Sequence, residues 1–362
     1  MNDKHWMRKA LALARRERGG TAPNPPVGAI LVCGGKEIAS GSHRKAGGPH
    51  AEITALQSAG GKTKGATLYV SLEPCSSYGK TGPCTDAIIK SGIKRVVAAV
   101  MDPNPQNRGK GFKALKKAGL KVKKGVCAEE AEEIIAPFRK WVISGKPYLT
   151  LKLGMTLDGK IADGKKMSKW ITCKESRAAV KALRRKVDGI IVGSGTARID
   201  DPELLCGNNT RRTPFRIILD SAGKTPVTAR VLNDKHVTRT IIAVTKRCSS
   251  RRRKVYIEKG ATVLMTPQTA GHISLKALMN KLGKKGLLHV LCEGGGELAE
   301  GLIRAGLVDE YIFFIAPRII GGADSVSAVR GKGWPLAMAP ELNFAETARV
   351  GKDLMVRALP AT

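Results

Sequence analysis

A chain of 362 residues is long enough for two domains, each with its own core. Hydrophobic residues make up 42% and aromatics only 4%, and apolar runs such as Arg95–Val100 and Gly189–Val192 are strand-length, which excludes a membrane-spanning helix. The 63 Lys and Arg against 30 Asp and Glu give a formal charge of +33, spread over both halves rather than gathered in a tail.

Such a balance either attracts polyanions or phosphorylated small molecules or is no more than a solvated surface, and the second reading is favoured. The basic clusters Lys113–Lys124 and Lys246–Lys254 hold no aromatic residues on which bases could stack, so nucleic acid is not the expected partner. The opening Met1–Trp6 lacks the apolar stretch of a secretion signal. Eight scattered cysteines form no short-range disulfide framework, so a reducing cytoplasm is the expected setting.

In chain order, Lys4–Arg18 reads as an amphipathic helix, residues 21–26 as a Pro-rich loop and Val27–Val32 as a strand. Ala51–Ala59 reads as a helix that begins just after His50, with Glu52 in its first turn. A strand at Thr67–Ser71 ends at Glu73-Pro74-Cys75, and a helix over Thr85–Ser91 opens at Cys84. Each of His50, Cys75 and Cys84 thus falls at or near a helix N-terminus, where backbone dipoles favour thiolate over thiol. One imidazole and two thiolates suffice to hold a catalytic Zn²⁺ with its fourth position open. Glu52, two residues from the first ligand, stands where a proton shuttle is needed. His-x-Glu followed by two Pro-Cys segments is the zinc deaminase signature. A strand at Arg95–Val100, a helix near Gly111–Ala118, a strand at Lys121–Lys124 and a helix from Glu129 to about Trp141 complete this half as an α/β layer sandwich.

Residues 144–147 (Ser-Gly-Lys-Pro) break the pattern and mark the domain boundary. Beyond them come strands at Tyr148–Leu153, Gly189–Val192, Pro214–Asp220, Thr240–Val244 and Leu287–Cys292, and helices at Ser176–Arg185 and Leu298–Ala305. The run Glu293-Gly294-Gly295-Gly296-Glu297, between a strand and a helix, lets backbone amides approach a phosphate. It is not the Gly-x-Gly-x-x-Gly fingerprint, so a Rossmann fold does not follow.

With both halves read, the chain resembles the bifunctional riboflavin-biosynthesis deaminase–reductase family nearly end to end. In the first half the resemblance rests on Pro23-Asn24-Pro25-Pro26-Val27-Gly28, His43, Pro49-His50-Ala51-Glu52, Glu73-Pro74-Cys75, Gly82-Pro83-Cys84 and Asp102-Pro103-Asn104-Pro105. The wide gap between Cys75 and Cys84 is similar to this family and unlike the Cys-x-x-Cys of many base deaminases. In the second half it rests on residues 152–162, Trp170-Ile171-Thr172, Gly193 to Thr196, Asp200-Asp201-Pro202 and Glu293 to Gly296.

The resemblance implies a cytidine-deaminase-like α/β/α sandwich over 1–145 and a dihydrofolate-reductase-like α/β domain over 146–362. The first is a zinc-dependent deaminase and the second an NADPH-dependent reductase. The implied chemistry removes the 2-amino group of a diamino-ribosylamino-pyrimidinone 5′-phosphate, then reduces ribosyl to ribityl. By family match, Asn24, Lys80, Asp102 and Asn104 hold the deaminase substrate. Ser168, Arg184, Leu204 and Glu293 meet the ribosyl substrate, and Lys152 assists its ring opening or protonation. Gly154, Trp170, Thr196, Asp200, Ser221, Gly295, Gly296, Glu297, Leu298, Ala299, Glu300 and Gly301 contact NADPH. A homo-oligomer is expected.

Two residues depart from the family pattern. Ser77 stands where the family has His, and Cys206-Gly207-Asn208-Asn209 replaces a stretch that carries a phosphate-binding Arg, leaving Arg211 or Arg212 to substitute. Two rival readings are a nucleic-acid base deaminase with an accessory domain and a paralogue with a non-catalytic reductase half.

Overall fold

The computed structural model describes residues 2–78, 82–207 and 212–361, so Lys80 and Arg211 lie outside the described residues. The chain divides into two compact units, Met1–Lys146 and Pro147–Thr362.

The first unit runs α1 (Asp3–Glu17), β1 (Gly28–Cys33), β2 (Lys36–Ser42), α2 (Ala51–Ser58), β3 (Thr67–Leu72), α3 (Cys84–Lys90), β4 (Arg95–Val100), α4 (Lys110–Lys117), β5 (Lys121–Lys124) and α5 (Ala128–Ser144). The five strands form one sheet in the order β2-β1-β3-β4-β5, parallel from β3 to β5 and antiparallel around β1. β3 is buried along its whole length, its Leu, Tyr and Val flanked by the small polar Thr67 and Ser71.

Two glycines show how the layers form. A Cβ on Gly28 would meet Ala10 O of α1 at 2.1 Å, and one on Gly41 would meet Ala51 O of α2 at 2.3 Å. Gly41 pairs with Ala29 across the strands, and successive residues of a strand face opposite ways, so α1 and α2 lie on opposite faces. The expected α/β/α sandwich is therefore present. The strand β2, absent from the sequence reading, is the edge of this sheet; its Lys-Glu-Ile-Ala-Ser-Gly-Ser text lacks the β-branched run that marks a strand.

The second unit runs β6 (Tyr148–Thr156), β7 (Lys160–Ala162), α6 (Lys174–Arg184), β8 (Gly189–Gly193), α7 (Ser194–Ile199), β9 (Phe215–Leu219) and β10 (Thr240–Val244). It continues through α8 (Ser250–Glu258), β11 (Thr262–Met265), β12 (Gln268–Thr269), β13 (His272–Ile273), α9 (Leu275–Lys284), β14 (His289–Cys292) and α10 (Gly296–Arg304). The last elements are β15 (Glu310–Ala316), β16 (Val326–Ser327), β17 (Leu342–Val350) and β18 (Asp353–Pro360). Nine strands make one sheet in the order β11-β10-β9-β8-β14-β6-β15-β18-β17, parallel from β11 to β15, with an antiparallel β18–β17 edge.

From β6 the chain moves two places over to β8 and outward to β11, then returns to fill β14 before crossing to β15. The connections thus diverge around β6 and β14. In open α/β sheets such a divergence leaves a crevice at the carboxyl ends of the strands. A cleft of about 1850 Å³ lies there.

Candidate active sites

In the first unit, three chain breaks converge. His50 is the residue just before α2, Cys84 opens α3, and Cys75 follows the end of β3. Cys75 is not at a helix start itself; its sulfur reaches one by accepting the Cys84 N–H at 3.4 Å. His50 Nδ1 stands 3.2 Å from Cys84 Sγ and 3.5 Å from Cys75 Sγ, and all three donor atoms lie within 4.8 Å of one another. A tetrahedral zinc with bonds of about 2.0–2.3 Å sets a nitrogen and a sulfur donor roughly 3.6 Å apart. The donor set and its spacing fit zinc.

Hydrogen bonding from Cys84 and from His50 holds the Cys75 thiol down to about 4, whereas the Cys84 thiol, bonded to that thiolate and buried, is pushed far up. Glu52 is 4% exposed and close enough to Cys84 to hydrogen-bond it. Burial pushes its carboxyl up to about 7, the range in which a carboxyl both takes and returns a proton at neutral pH.

Around these residues the loops are braced by buried polar groups. His43, 2% exposed, has Nδ1 3.0 Å from the Pro49 carbonyl and Nε2 3.1 Å from Asn24 Nδ2. A carbonyl only accepts, so Nδ1 carries the proton and Nε2 accepts from Asn24. Burial lowers the His43 pKa and keeps the ring neutral, as this arrangement requires. The ring also packs edge-on against His50, with centroids 5.3 Å apart.

Asp102 accepts from the Asn104 N–H at 2.8 Å and from Asn107 Nδ2 at 3.0 Å, and burial raises its pKa. Asn104 Oδ1 caps its own turn at Gln106 N. Glu73 was read only as part of a motif, yet its buried carboxylate accepts from the backbone N–H groups of Asp102, Gly109 and Phe112 at 3.0–3.2 Å. It ties the end of β3 to the loop that carries Asp102. Its place in the Glu73-Pro74-Cys75 motif was the one sequence trace of this residue, and it did not point to the brace. Ser77 donates to Asn107 Oδ1 at 2.9 Å, so this departure from the family pattern joins the Asp102 loop.

In the second unit, β6 and β14 run parallel with Leu151 beside Cys292, which sets Lys152 beside Glu293. Lys152 Nζ is 3.5 Å from Glu293, and Arg184 grips the same carboxylate with two bonds of 2.7 and 3.0 Å. Burial pushes the Glu293 carboxyl up, but Lys152 and Arg184 outweigh it and hold the pKa at about 2. Ser168 donates to Asp200 at 3.3 Å.

The cleft wall includes Lys152, Ser168, Arg184, Leu204 and Glu293. It also includes Gly154, Trp170, Thr196, Asp200, Ser221 and the 295–301 stretch apart from Ala299. Ala299 is 0% exposed and packs into the core instead, as the inward face of α10 requires. In the glycine run, a Cβ on Gly296 would strike Ser327 O at 2.4 Å, and one on Gly294 would strike Leu298 at 2.6 Å. Only Gly295 faces free space, with Thr196 Oγ1 3.7 Å away, and it stands at the start of α10 where backbone N–H groups are unpaired.

Arg184 and Arg185 are anchored on the carbonyls of Leu205 and Cys206, and Arg212 is not part of the cleft wall. Basic side chains the sequence reading did not single out, among them Lys181, Arg198 and Lys224, also line the cleft. The overall charge was their only signal.

The comparisons with known proteins follow the same division. The cytidine and deoxycytidylate deaminase zinc-binding region matches residues 1–100, and the RibD C-terminal domain matches residues 147–356. The riboflavin biosynthesis protein RibD of Aquifex aeolicus is 45% identical over 90% of this chain and 89% of its own. That of Escherichia coli is 40% identical over the whole of both chains. The chain belongs to the RibD family. Among solved structures, Acinetobacter baumannii RibD superposes with a TM-score of 0.89 at 34% identity, covering 99% of each chain. A Thermotoga maritima protein described as a diaminohydroxyphosphoribosylaminopyrimidine deaminase/5-amino-6-(5-phosphoribosylamino)uracil reductase gives 0.87 at 32% identity, with the same coverage.

As in the rest of the RibD family, the two halves are a deaminase and a reductase of riboflavin biosynthesis, joined in one bifunctional enzyme. The fold is the expected pairing of a cytidine-deaminase-like unit with a RibD reductase unit. The deaminase half is of the zinc-binding kind, and the reductase half takes a nucleotide cofactor. Among the described residues no helix is long and apolar enough to cross a membrane.

Proposed function

We propose that residues 1–145 deaminate 2,5-diamino-6-ribosylamino-4(3H)-pyrimidinone 5′-phosphate with zinc held by His50, Cys75 and Cys84. Residues 146–362 then reduce the ribosyl group to ribityl with NADPH. The observation that carries this is the three-donor cluster with a buried Glu52 at the same helix start. Zinc supplies a Lewis-acidic centre that brings water near neutrality in pKa. Glu52 takes one proton from the attacking water and passes it to the ring nitrogen, then relays the second, from the hydroxyl so formed, to the amine as its bond to carbon breaks. His43 fixes the Asn24 amide, and the Glu73-braced loop presents Asp102 and Asn104 to the pyrimidine; Lys80 is assigned to the substrate phosphate by family match alone.

In the reductase, Glu293 pairs with Lys152 on the cleft wall, where the lysine side chain delivers a proton to the opening sugar ring. Arg184 keeps Glu293 ionised while Ser168 and Leu204 bound the ribosyl group. Gly154, Trp170, Thr196, Asp200, Ser221 and the 295–301 turn form the NADPH wall.

None of the eight cysteines is joined in a disulfide, which supports a cytoplasmic setting. Self-association belongs to the same reading: β17 is an open sheet edge with Phe344 77% exposed, and sedimentation equilibrium tests it.

The deciding experiment supplies the diaminopyrimidine ribotide with and without NADPH. Ammonia release in both cases, with NADPH oxidation following it, is the expected result. Oxidation without prior ammonia release, or neither signal, overturns the reading.

A further inference from the structure

The helix α6 faces the cleft of the second unit with Arg177, Lys181 and Arg184, yet of its described residues Ser176 alone is fully buried. A helix ordinarily takes its position from an apolar stripe pressed on the core. In α6 that stripe is thin: Leu183, near the end, is half-buried against a core cluster, and the first turn has no such contact. The start of the helix therefore depends on polar anchors.

The N-cap residue, Cys173, gives α6 no side-chain cap of its own. Asp353, which opens β18 just after the tight turn from β17, supplies one from far along the chain. One of its carboxylate oxygens accepts from Cys173 N at 2.8 Å and from Ser176 Oγ at 2.6 Å. These are the N-cap and the third helical residue, the two positions that a capping box joins within a single turn. A negative charge also suits this end of a helix. The other carboxylate oxygen is buried with no donor among the described residues, a cost that marks a group kept for its place. The turn is fitted to the helix start as well. Gly351 has a φ of +60°, and a Cβ there would meet Glu175 Oε2 at 2.7 Å and Cys173 Sγ at 2.9 Å. The Cys173 thiol in turn donates to Val350 O at 3.2 Å.

At its other end, about 15 Å along the axis from Lys174, α6 presents Arg184. That guanidinium grips Glu293 and the Leu205 carbonyl, and Glu293 pairs with Lys152. A helix moves as a rigid rod, so a displaced first turn is felt at Arg184. Asp353 itself is 0% exposed and is not part of the cleft wall, so its effect on the reaction passes through α6.

We infer that Asp353 is a positioning residue of the reductase: from the β17–β18 turn it fixes the start of α6 and thereby holds Arg184 on Glu293 beside Lys152. The inference rests on the reading of Lys152 and Glu293 as the reductase centre.

The test uses the full-length, zinc-loaded protein, supplied with NADPH and the already deaminated substrate. Asp353→Ala removes both anchors and should lower kcat for ribosyl reduction by up to about a hundredfold, the scale for a group misplaced by about 1 Å. Ser176→Ala removes one and should lower it about fivefold, the scale of one hydrogen bond. Asp353→Asn keeps an oxygen for both donors and should stay within about twofold of wild type, which separates placement from charge. In an Arg184→Gln background Ser176→Ala should cost nothing further, because no guanidinium is left to place. Ammonia release from the first substrate should stay at the wild-type level throughout. If Asp353→Ala shows no cooperative urea unfolding, the proposal stands or falls on Ser176→Ala in the two backgrounds. Wild-type reduction by a folded Asp353→Ala variant overturns the role. So does an Asp353→Asn variant as impaired as Asp353→Ala, or a Ser176→Ala loss undiminished beside Arg184→Gln. Wild-type protein that oxidises no NADPH with this substrate overturns the reading of the reductase centre, and the positioning role with it.

Discussion

The two sites of this chain are built by opposite strategies. The deaminase centre is a small donor set: His50, Cys75 and Cys84 come from within 35 positions and meet within 4.8 Å. The reductase cleft gathers its wall from residues between 152 and 331, over the ends of β6, β14, β8, β9 and β10. A compact donor set concentrates chemistry in a few atoms, so single substitutions there should act all-or-none on one reaction. A broad cleft spreads recognition over many contacts, so losses there should divide between turnover, affinity and stability.

The sharpest break of that contrast is Glu52→Gln. Zinc content should stay stoichiometric by elemental analysis, while ammonia release falls by at least about a hundredfold, the scale of general acid–base loss. Reduction of the already deaminated substrate should be untouched. Near-normal ammonia release from this variant would remove Glu52 as the proton shuttle.

Next in size, Lys152→Met should lower ribosyl reduction on the order of a hundredfold by the same argument, with ammonia release intact. Stopped-flow measurement of NADPH oxidation checks it, and a change confined to KM would assign Lys152 to binding instead.

Third, Glu293→Gln leaves Lys152 and Arg184 facing one another without their shared anion. Breaking a buried ion pair of this kind costs about 3 kcal/mol, readable by urea unfolding at neutral pH. The folded-state carboxyl sits at about 2 against an ordinary 4.5. Its contribution is therefore complete above pH 4.5 and is lost as pH falls toward 2. The wild type should lose stability across that window and the variant should not show this loss. Equal acid sensitivity in both would contradict the assignment.

The smallest effect is expected at Ser77→Ala. Its exposed bond to Asn107 is worth at most about 1 kcal/mol, so deaminase KM should rise less than about fivefold with kcat unchanged. A large fall in kcat would mean that Ser77 itself touches the reacting ring.

The same contrast governs what could be read from the amino-acid sequence. His50, Glu52, Cys75 and Cys84 announce themselves, because metal chemistry admits few residue types and helix starts fix their spacing. The brace of Glu73 on three backbone N–H groups does not, because its partners lie 29 to 39 positions away. Lys152 beside Glu293 depends on the register of two parallel strands 141 residues apart, which no local pattern encodes. Resemblance to the family pointed to that pair where spacing could not.

Among the strands, β6 and β10 were legible as apolar runs. The β17–β18 ribbon was not, because β17 is mostly exposed and reads as polar text. β15 is apolar after Glu310, but a short unbroken apolar run does not distinguish strand from buried helix by period alone.

Gly41 carries no chemistry, yet it stands under Ala51, the residue that follows His50. Any side chain there would collide with α2 backbone at 2.3–2.5 Å and lift the first turn of that helix off the sheet. Bond lengths to a metal tolerate only tenths of an ångström. Gly41 is thus a mechanical stop that sets the height of the imidazole above the sheet. A screen for zinc retention should find it as readily as it finds the ligands.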